Sequence, residues 1–302
     1  MKLIDIHTHG IGGYDTRTAD VAHILRIAEI HGSYGISEIV LTIYPSTIRV
    51  MRENMETVGQ AIEKQKGLSY PQGQPLTGDE SSSAGGPARI IGLHLEGPFL
   101  NPEKCGSLNA ITFIEPTEYA FKELIEGYEN ILKIITIAPE MSGALGLIKK
   151  ISDQGISVSM GHSQATYAEA EAGFRAGARG ITHIFNAMRG IHHREPGIAG
   201  FGLLNKEIYI EVIADPFHLH SKTLELIFKT KDRNKIIIIS DTVKETKTGI
   251  GKERDISDRY GNLLGGSLTI SESSDRLIAM GYNEEVIKSC ITANPAAYLS
   301  AG

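Results

Sequence analysis

The sequence predicts an α/β fold, a barrel of eight parallel strands wrapped by helices, and three observations predict it. Short β-rich runs alternate with longer helical stretches along the chain. Most of those runs are continuous apolar segments, as expected where a parallel sheet is covered on both faces. The count also closes, with eight strand candidates, seven connections and a helical tail, the signature of a (β/α)₈ barrel of TIM type. A doubly wound open sheet competes, but eight units fit the barrel better.

The strand candidates, in order, are KLIDIHTH (2–9), EIVLTIY (38–44), RIIGLHLEG (89–97), ILKIITIAP (131–139), ISVSMGH (156–162), GITHIF (180–185), IYIEVIAD (208–215) and KIIIISD (235–241). Between them lie helix-like segments such as ADVAHILRIAEIHG, PSTIRVMRENMETVGQAIEKQ, PTEYAFKELIEGY, SGALGLIKKISDQG and TYAEAEAGFRAG. Several stop at glycine, the usual residue just past a helix end. One stretch breaks the pattern. Residues 67–88 are rich in Gly, Ser, Pro and Gln without periodicity, which predicts a flexible surface connection entering the third strand.

At 302 residues the chain is long enough to bury roughly three quarters of its unfolded surface as one large barrel domain. Apolar residues at 41% and charged residues at 22% match ordinary globular proteins, so neither disorder nor a membrane protein is indicated. No basic-then-apolar leader and no spanning-length apolar run is visible, so a cytoplasmic protein without a membrane partner is expected. Cys105 and Cys290 stand far apart and suggest no disulfide framework, which fits a reducing compartment. A net charge of −6 argues against nucleic acid, which needs a basic footprint.

In such barrels, polar residues at strand C-termini build the active site. Here His7 and His9 follow strand one, Glu96 strand three and His162 strand five, and His183 lies near the end of strand six. Asp215 and His218 follow strand seven, and Asp241 follows strand eight. A buried ring of imidazoles and carboxylates is costly unless a cation compensates it. The mixed nitrogen and oxygen donors favour zinc or iron over magnesium. His7 and His9 are two apart, so both face one side of their strand and can meet one ion. Given a metal, Asp241 has a role as the carboxylate that takes a proton from water and returns it to a leaving group. The class that follows is metal-assisted hydrolysis of an amide or ester.

The stretches IDIHTHG (4–10), GLHLEGPFLNPEKCG (92–106), GHSQAT (161–166), THIFNAMRGIHHREPGIAG (182–200), ADPFHLH (214–220), SDT (240–242) and LLGGSLT (263–269) resemble the N-acetylglucosamine-6-phosphate deacetylases, amidohydrolases on metal-dependent barrels. The resemblance runs in order from residue 4 to about residue 298, and the HLEGPF and FNAM…HHREPG blocks are specific. It implies that Glu96, His162 and His183 hold the principal metal. His7 and His9 match the pair found in members with a second ion, so one or two ions per subunit are implied, with Glu96 bridging and Asp241 contributing. Asp241 matches the general acid/base. Asn186 and Ala187 match a turn whose backbone amides hold the substrate phosphate, Arg194 an arginine reaching that phosphate from a neighbouring subunit, and His218 a contact to the sugar phosphate. The implied function is removal of acetyl from N-acetylglucosamine 6-phosphate, a small phosphorylated amino sugar, by an enzyme of amino-sugar metabolism.

Two departures qualify it. Where the family typically reads K-G-A-H-N, with the histidine over the scissile carbonyl, this chain has Gly106, Ser107, Leu108 and Asn109, and ADPF puts Pro216 where the family has glycine. Losing one oxyanion donor costs ~10² to 10³ in rate. Two alternatives follow: an amidohydrolase acting on another N-acyl substrate, or a weakly catalytic or non-catalytic sugar-phosphate-binding relative. The family's accessory β-sandwich is also expected to be missing, because the sequence starts at strand one. Association into a homodimer is one way to cover the surface so exposed.

Overall fold

The computed structural model describes residues 2–67, 86–248, 255–258 and 261–300; most of the predicted connection at 67–88 lies outside them. Eight strands form one parallel sheet in sequence order. They are β1 (Ile4–Thr8), β2 (Glu38–Ile43), β3 (Arg89–Glu96), β4 (Leu132–Ile137), β5 (Ser157–Met160), β6 (Gly180–Ile181), β7 (Tyr209–Ile213) and β8 (Ile236–Ile239). Every predicted strand is present, trimmed at its ends. The sixth is cut to two residues because the backbone soon enters positive φ at His183 (29°), which a strand cannot accommodate.

The ring closes between β1 and β8 by a few bonds and not by a continuous ladder. Asp241 N–H donates to the His7 carbonyl (2.9 Å) and His9 N–H to the Thr242 carbonyl (2.8 Å). Asp5 Oδ1 accepts from the Ser240 N–H (3.3 Å), tying the two strands further down. Gly266 lies against this seam, its N–H donating to the Asp241 carbonyl (2.7 Å). A Cβ there would stand 1.8 Å from the Ser240 carbonyl oxygen, so only glycine permits the approach.

Helices α1 (Val21–Ser33), α2 (Ile48–Gly67), α3 (Glu118–Ile125), α4 (Ala144–Ser152), α5 (Tyr167–Ala176), α6 (Gly197–Leu204) and α7 (Ser221–Thr230) alternate with the strands. After β8 come α8 (Ile270–Ala279), α9 (Glu284–Cys290) and α10 (Ala293–Ser300), the helical tail. Asp20, Thr117, Thr166 and Thr269 cap helix starts, and Thr166 and Thr269 form capping boxes with Glu169 and Glu272. Each such cap is worth ~1 kcal/mol. None of the described helices is long and apolar enough to cross a membrane.

Two apolar layers result. The outer one lies between strands and helices, with Ile39, Leu41, Leu93, Leu95, Ile135 and Val158 facing residues such as Ile27, Met55 and Leu147. The inner one is a floor inside the barrel, built from Ile4, Ile6, Val40, Ile134, Ile213, Ile237 and Ile239, with Tyr209 and Tyr298 packed against it. Tyr298 of α10 fits beside Gly180, where a Cβ would come within 2.5 Å of its hydroxyl. The polar residues stand above this floor, at the strand C-termini. Apart from the barrel sheet, the only sheet among the described residues is a hairpin pairing Gly10–Ile11 with Tyr14–Asp15, so no sandwich occurs there.

Candidate metal centre and active site

A register shift in β1 builds half of the site. Pairing with β2 runs Ile4 to Glu38 and Asp5 to Ile39, then resumes at Thr8 to Leu41, so one extra residue is accommodated between Asp5 and Thr8. Ile4 and Ile6 therefore pack on the inner floor while His7 and His9, of opposite parity, also face the barrel interior. Such bulges commonly re-aim side chains beside active sites. Thr8, between the histidines, points the other way and bonds His31 Nε2 (3.1 Å) and Thr242 Oγ1 (2.7 Å).

The structure gathers the predicted ligand residues into two groups, Glu96 with His162 and His183, and His7 with His9 and Asp241. In the first group, His162 Nε2 and His183 Nε2 lie 3.1 and 3.0 Å from Glu96 Oε1 and 3.1 Å from each other. Two imidazole nitrogens and one carboxylate oxygen at these mutual distances form a cluster that needs positive charge to hold it together. A divalent ion that binds ligands at about 2.0 to 2.2 Å holds them about 3 to 3.5 Å apart, which is this spacing. In the second group, His7 Nε2 is 3.4 Å and His9 Nε2 3.7 Å from Asp241 Oδ1. Glu96 reaches this group too, its Oε2 lying 3.1 Å from His9 Nε2 and its Oε1 3.6 Å from His7 Nε2. His7 Nε2 is buried without a hydrogen-bond partner and points at both carboxylates. The donor set fits a divalent ion at each group.

The electrostatics carry the same message. Burial by itself would lower the His7 pKa, yet Asp241, Glu211 and Glu96 around it raise it to about 10. Burial pushes the Glu96 carboxyl up, and the histidines His162, His183 and His9 more than offset it, holding it well below the usual range. Carboxylates packed this way around imidazoles require positive charge at the centre, from protons or from metal. The backbone is also strained here. Among the described residues, positive φ outside glycine occurs at His162, His183, Phe185, Ala187, Asp241 and Lys247, and all but Lys247 lie at or beside the candidate site.

A cavity of about 230 Å³ opens over the two groups. His9, Glu96, His162, His183 and Asp241 line one side, with Asn186, Ala187 and His218 also in its wall. Asp215 does not join the ring of candidate ligands. Its Oδ2 accepts from His218 Nδ1 (2.9 Å) and from the Ser267 N–H (3.0 Å), while Oδ1 accepts from the Phe217 and His218 N–H groups. Burial lowers the His218 pKa, but Asp215 outweighs it and holds it above the usual imidazole value. The Asn186 N–H is already committed to the His183 carbonyl (3.0 Å), so of the two turn amides expected to meet an anion this one is taken up within the turn. Arg194 is exposed and lies outside the cavity of its own chain.

Leu108 does face the cavity, at the end lined by Tyr44 and Leu264. His94 cannot stand in for a histidine there, because it is fully buried below, with Nε2 at 2.8 Å from Thr136 Oγ1. Sequence reasoning missed three supporting residues. Glu211 is buried with Oε2 at 3.0 Å from His7 Nδ1. Tyr44 stacks on His9 at 3.8 Å. Glu140 holds Ser163 Oγ (2.7 Å), the Gln164 N–H (2.6 Å) and Asn101 Nδ2 (2.9 Å), pinning the loop after His162 to the loop after β3. Glu211 alone left a signal, a single carboxylate inside an otherwise apolar parallel strand.

No family model matches the chain. An N-acetylglucosamine-6-phosphate deacetylase of Bacillus subtilis is 33% identical over 243 residues, covering 80% of this chain and 57% of that protein. An N-acetylgalactosamine-6-phosphate deacetylase of Escherichia coli O157:H7 is 30% identical over 243 residues, covering 80% and 59%. The chain thus spans less than two thirds of the length of the curated relatives it matches. The crystal structure of N-acetylglucosamine-6-phosphate deacetylase from Thermotoga maritima superposes with a TM-score of 0.82 at 25% identity, covering 98% of this chain and 77% of that one. In ordered sequence identity and in fold together, the chain is similar to the N-acetylglucosamine-6-phosphate deacetylases.

Proposed function

We propose that this barrel hydrolyses the N-acetyl group of N-acetylglucosamine 6-phosphate, releasing acetate and glucosamine 6-phosphate. The observation that carries the reading is the convergence of two ligand groups on Glu96 within a cavity whose wall also holds His218, bonded to Asp215. Glu96, His162 and His183 would hold one divalent ion, zinc or iron, and His7, His9 and Asp241 with Glu96 a second. When bound, such ions polarise a carbonyl and lower the pKa of water towards about 7. Asp241, whose carboxylate borders both the ligands and the cavity, takes the proton of the attacking water and delivers it to the departing amine. His218 and the Ala187 amide position the phosphate at the opposite end, and Tyr44, stacked on His9, fixes that ring.

The proposal extends to a cytoplasmic homodimer in which Arg194, exposed on its own subunit, reaches the phosphate bound by its neighbour. Bidentate guanidinium contact suits a phosphate that an acidic protein does not attract by overall charge. Leu108 on the cavity wall favours keeping a second substrate in view. The relative from E. coli is named for the galactosamine epimer, and other N-acyl sugars belong in the same screen.

Acetate release from N-acetylglucosamine 6-phosphate by zinc- or iron-loaded protein is the direct test. Asp241→Asn is expected to lower kcat by ~10² to 10⁴ while the Glu96 group keeps its ion. Turnover of the galactosamine epimer or of an unphosphorylated sugar in preference would move the substrate assignment. Absence of turnover with every N-acyl sugar, despite bound metal, would leave a binding protein instead of an enzyme.

A further inference from the structure

The four candidate imidazole ligands are not supported alike. The outer nitrogen of His162 meets a neutral group, the Lys104 carbonyl, at 2.8 Å. The outer nitrogens of His9 and His183 are buried without a hydrogen-bond partner. Only His7 has a carboxylate behind it, Glu211, whose Oε2 lies 3.0 Å from Nδ1. Glu211 comes from the middle of β7, 2% exposed, and the same oxygen accepts from the His183 backbone N–H at 3.4 Å. Its other oxygen has no partner, so its charge is directed at His7 and, through His7, at the space between His7 Nε2, His9 and Asp241.

We infer that Glu211 is the positioning residue that sets occupancy of the second metal site, and that the first site does not depend on it. The inference rests on the two-ion reading above and deepens it. A carboxylate behind an imidazole fixes its tautomer, with the proton on Nδ1 and the lone pair on Nε2, and makes that nitrogen a stronger donor. Loss of such an outer partner typically costs 10- to 100-fold in metal affinity. In the first group, His162 is aligned by a main-chain carbonyl, and neither its ring nor that of His183 bonds the Glu211 side chain. The contact with the His183 N–H orients Glu211 through main chain, which a neutral amide can replace.

Zinc binding to the full chain, titrated against a chelator of known affinity and counted by elemental analysis, tests the inference without any substrate. Wild type is expected to take two ions. Glu211→Gln, nearly isosteric, is expected to bind the first ion as wild type does and the second about 10- to 100-fold more weakly. Cobalt-loaded protein gives an independent readout, since the absorption of one of two ions should be lost at limiting metal. Glu211→Asp keeps the charge but withdraws it by one methylene, and should fall between. Equal affinity for both ions in Glu211→Gln, equal weakening of both, or a wild type that saturates with one ion would each overturn the inference. A deacetylase assay can fail while this titration succeeds, so the two readings are separable.

Discussion

The two ligand groups meet at one glutamate but are held by different parts of the barrel. Glu96 ends β3, and His162 and His183 follow β5 and β6, all within the consecutive run of paired strands. His7, His9 and Asp241 sit across the closing seam, where β1 and β8 are joined by single bonds such as Asp241 N–H to the His7 carbonyl. The first group is fixed by sheet pairing on both sides. The second is fixed by a bulge, a glycine contact and buried carboxylates, namely Asp5 at the seam and Glu211 behind His7. A site built on a continuous ladder tolerates change around it better than one built on a seam, so the second ion should be the one that mutation and conditions remove first.

The largest break in this comparison is at the shared residue. Glu96→Gln removes the carboxylate that touches His162, His183 and His9 at once, so both ions are expected to be lost and acetate release to fall to background. Elemental analysis of the purified variant checks it. Retention of one full equivalent of zinc would show that the groups are independent and that Glu96 does not bridge them.

A smaller effect separates the groups. His162→Gln should remove the ion of the ladder-held group and abolish turnover, whereas His9→Gln should leave that ion in place and cost about 10- to 100-fold in kcat, on the scale of a weakened metal partner. Metal content and kcat measured side by side decide the matter. Equal losses in both variants would erase the distinction between ladder and seam.

The legibility of the sequence divides along the same line. All eight strands were readable because parallel strands covered on both faces are apolar throughout, and Glu96, His162, His183 and Asp241 were readable because each lies at or near the end of such a run. The bulge in β1 was not, since alternation gives the parity of His7 and His9 relative to each other but not to Ile4 and Ile6. Helix α6, GIAGFGLL, gave no amphipathic period because every residue but Leu204 is buried. Asp215 looked like a member of the metal ring from its place after β7, and only the fold shows its oxygens turned to His218 and Ser267. Partnerships across strands, such as Glu211 with His7, depend on closure of the ring, and no local pattern encodes closure.

The smallest predicted effect lies behind the seam and is a matter of pH. His31 of α1 is fully buried, bonded through Nε2 to Thr8 Oγ1, and burial lowers its pKa to about 3. In the unfolded chain it titrates near 6.5. Between those values the unfolded chain binds a proton that the folded chain refuses, so stability rises with pH there and is lost as pH falls below about 6.5. From pH 7 to pH 5 this one group should cost about 2 kcal/mol. His31→Gln keeps a polar contact for Thr8 but cannot ionise, so urea unfolding at pH 7 and pH 5 should show a decline smaller by about that amount than in wild type. His94, which burial also holds well below its ordinary pKa, titrates in both proteins and cancels in the difference. Parallel declines in the two proteins would mean that His31 accepts its proton in the folded state, and that the layer behind β1 yields to acid before the seam does.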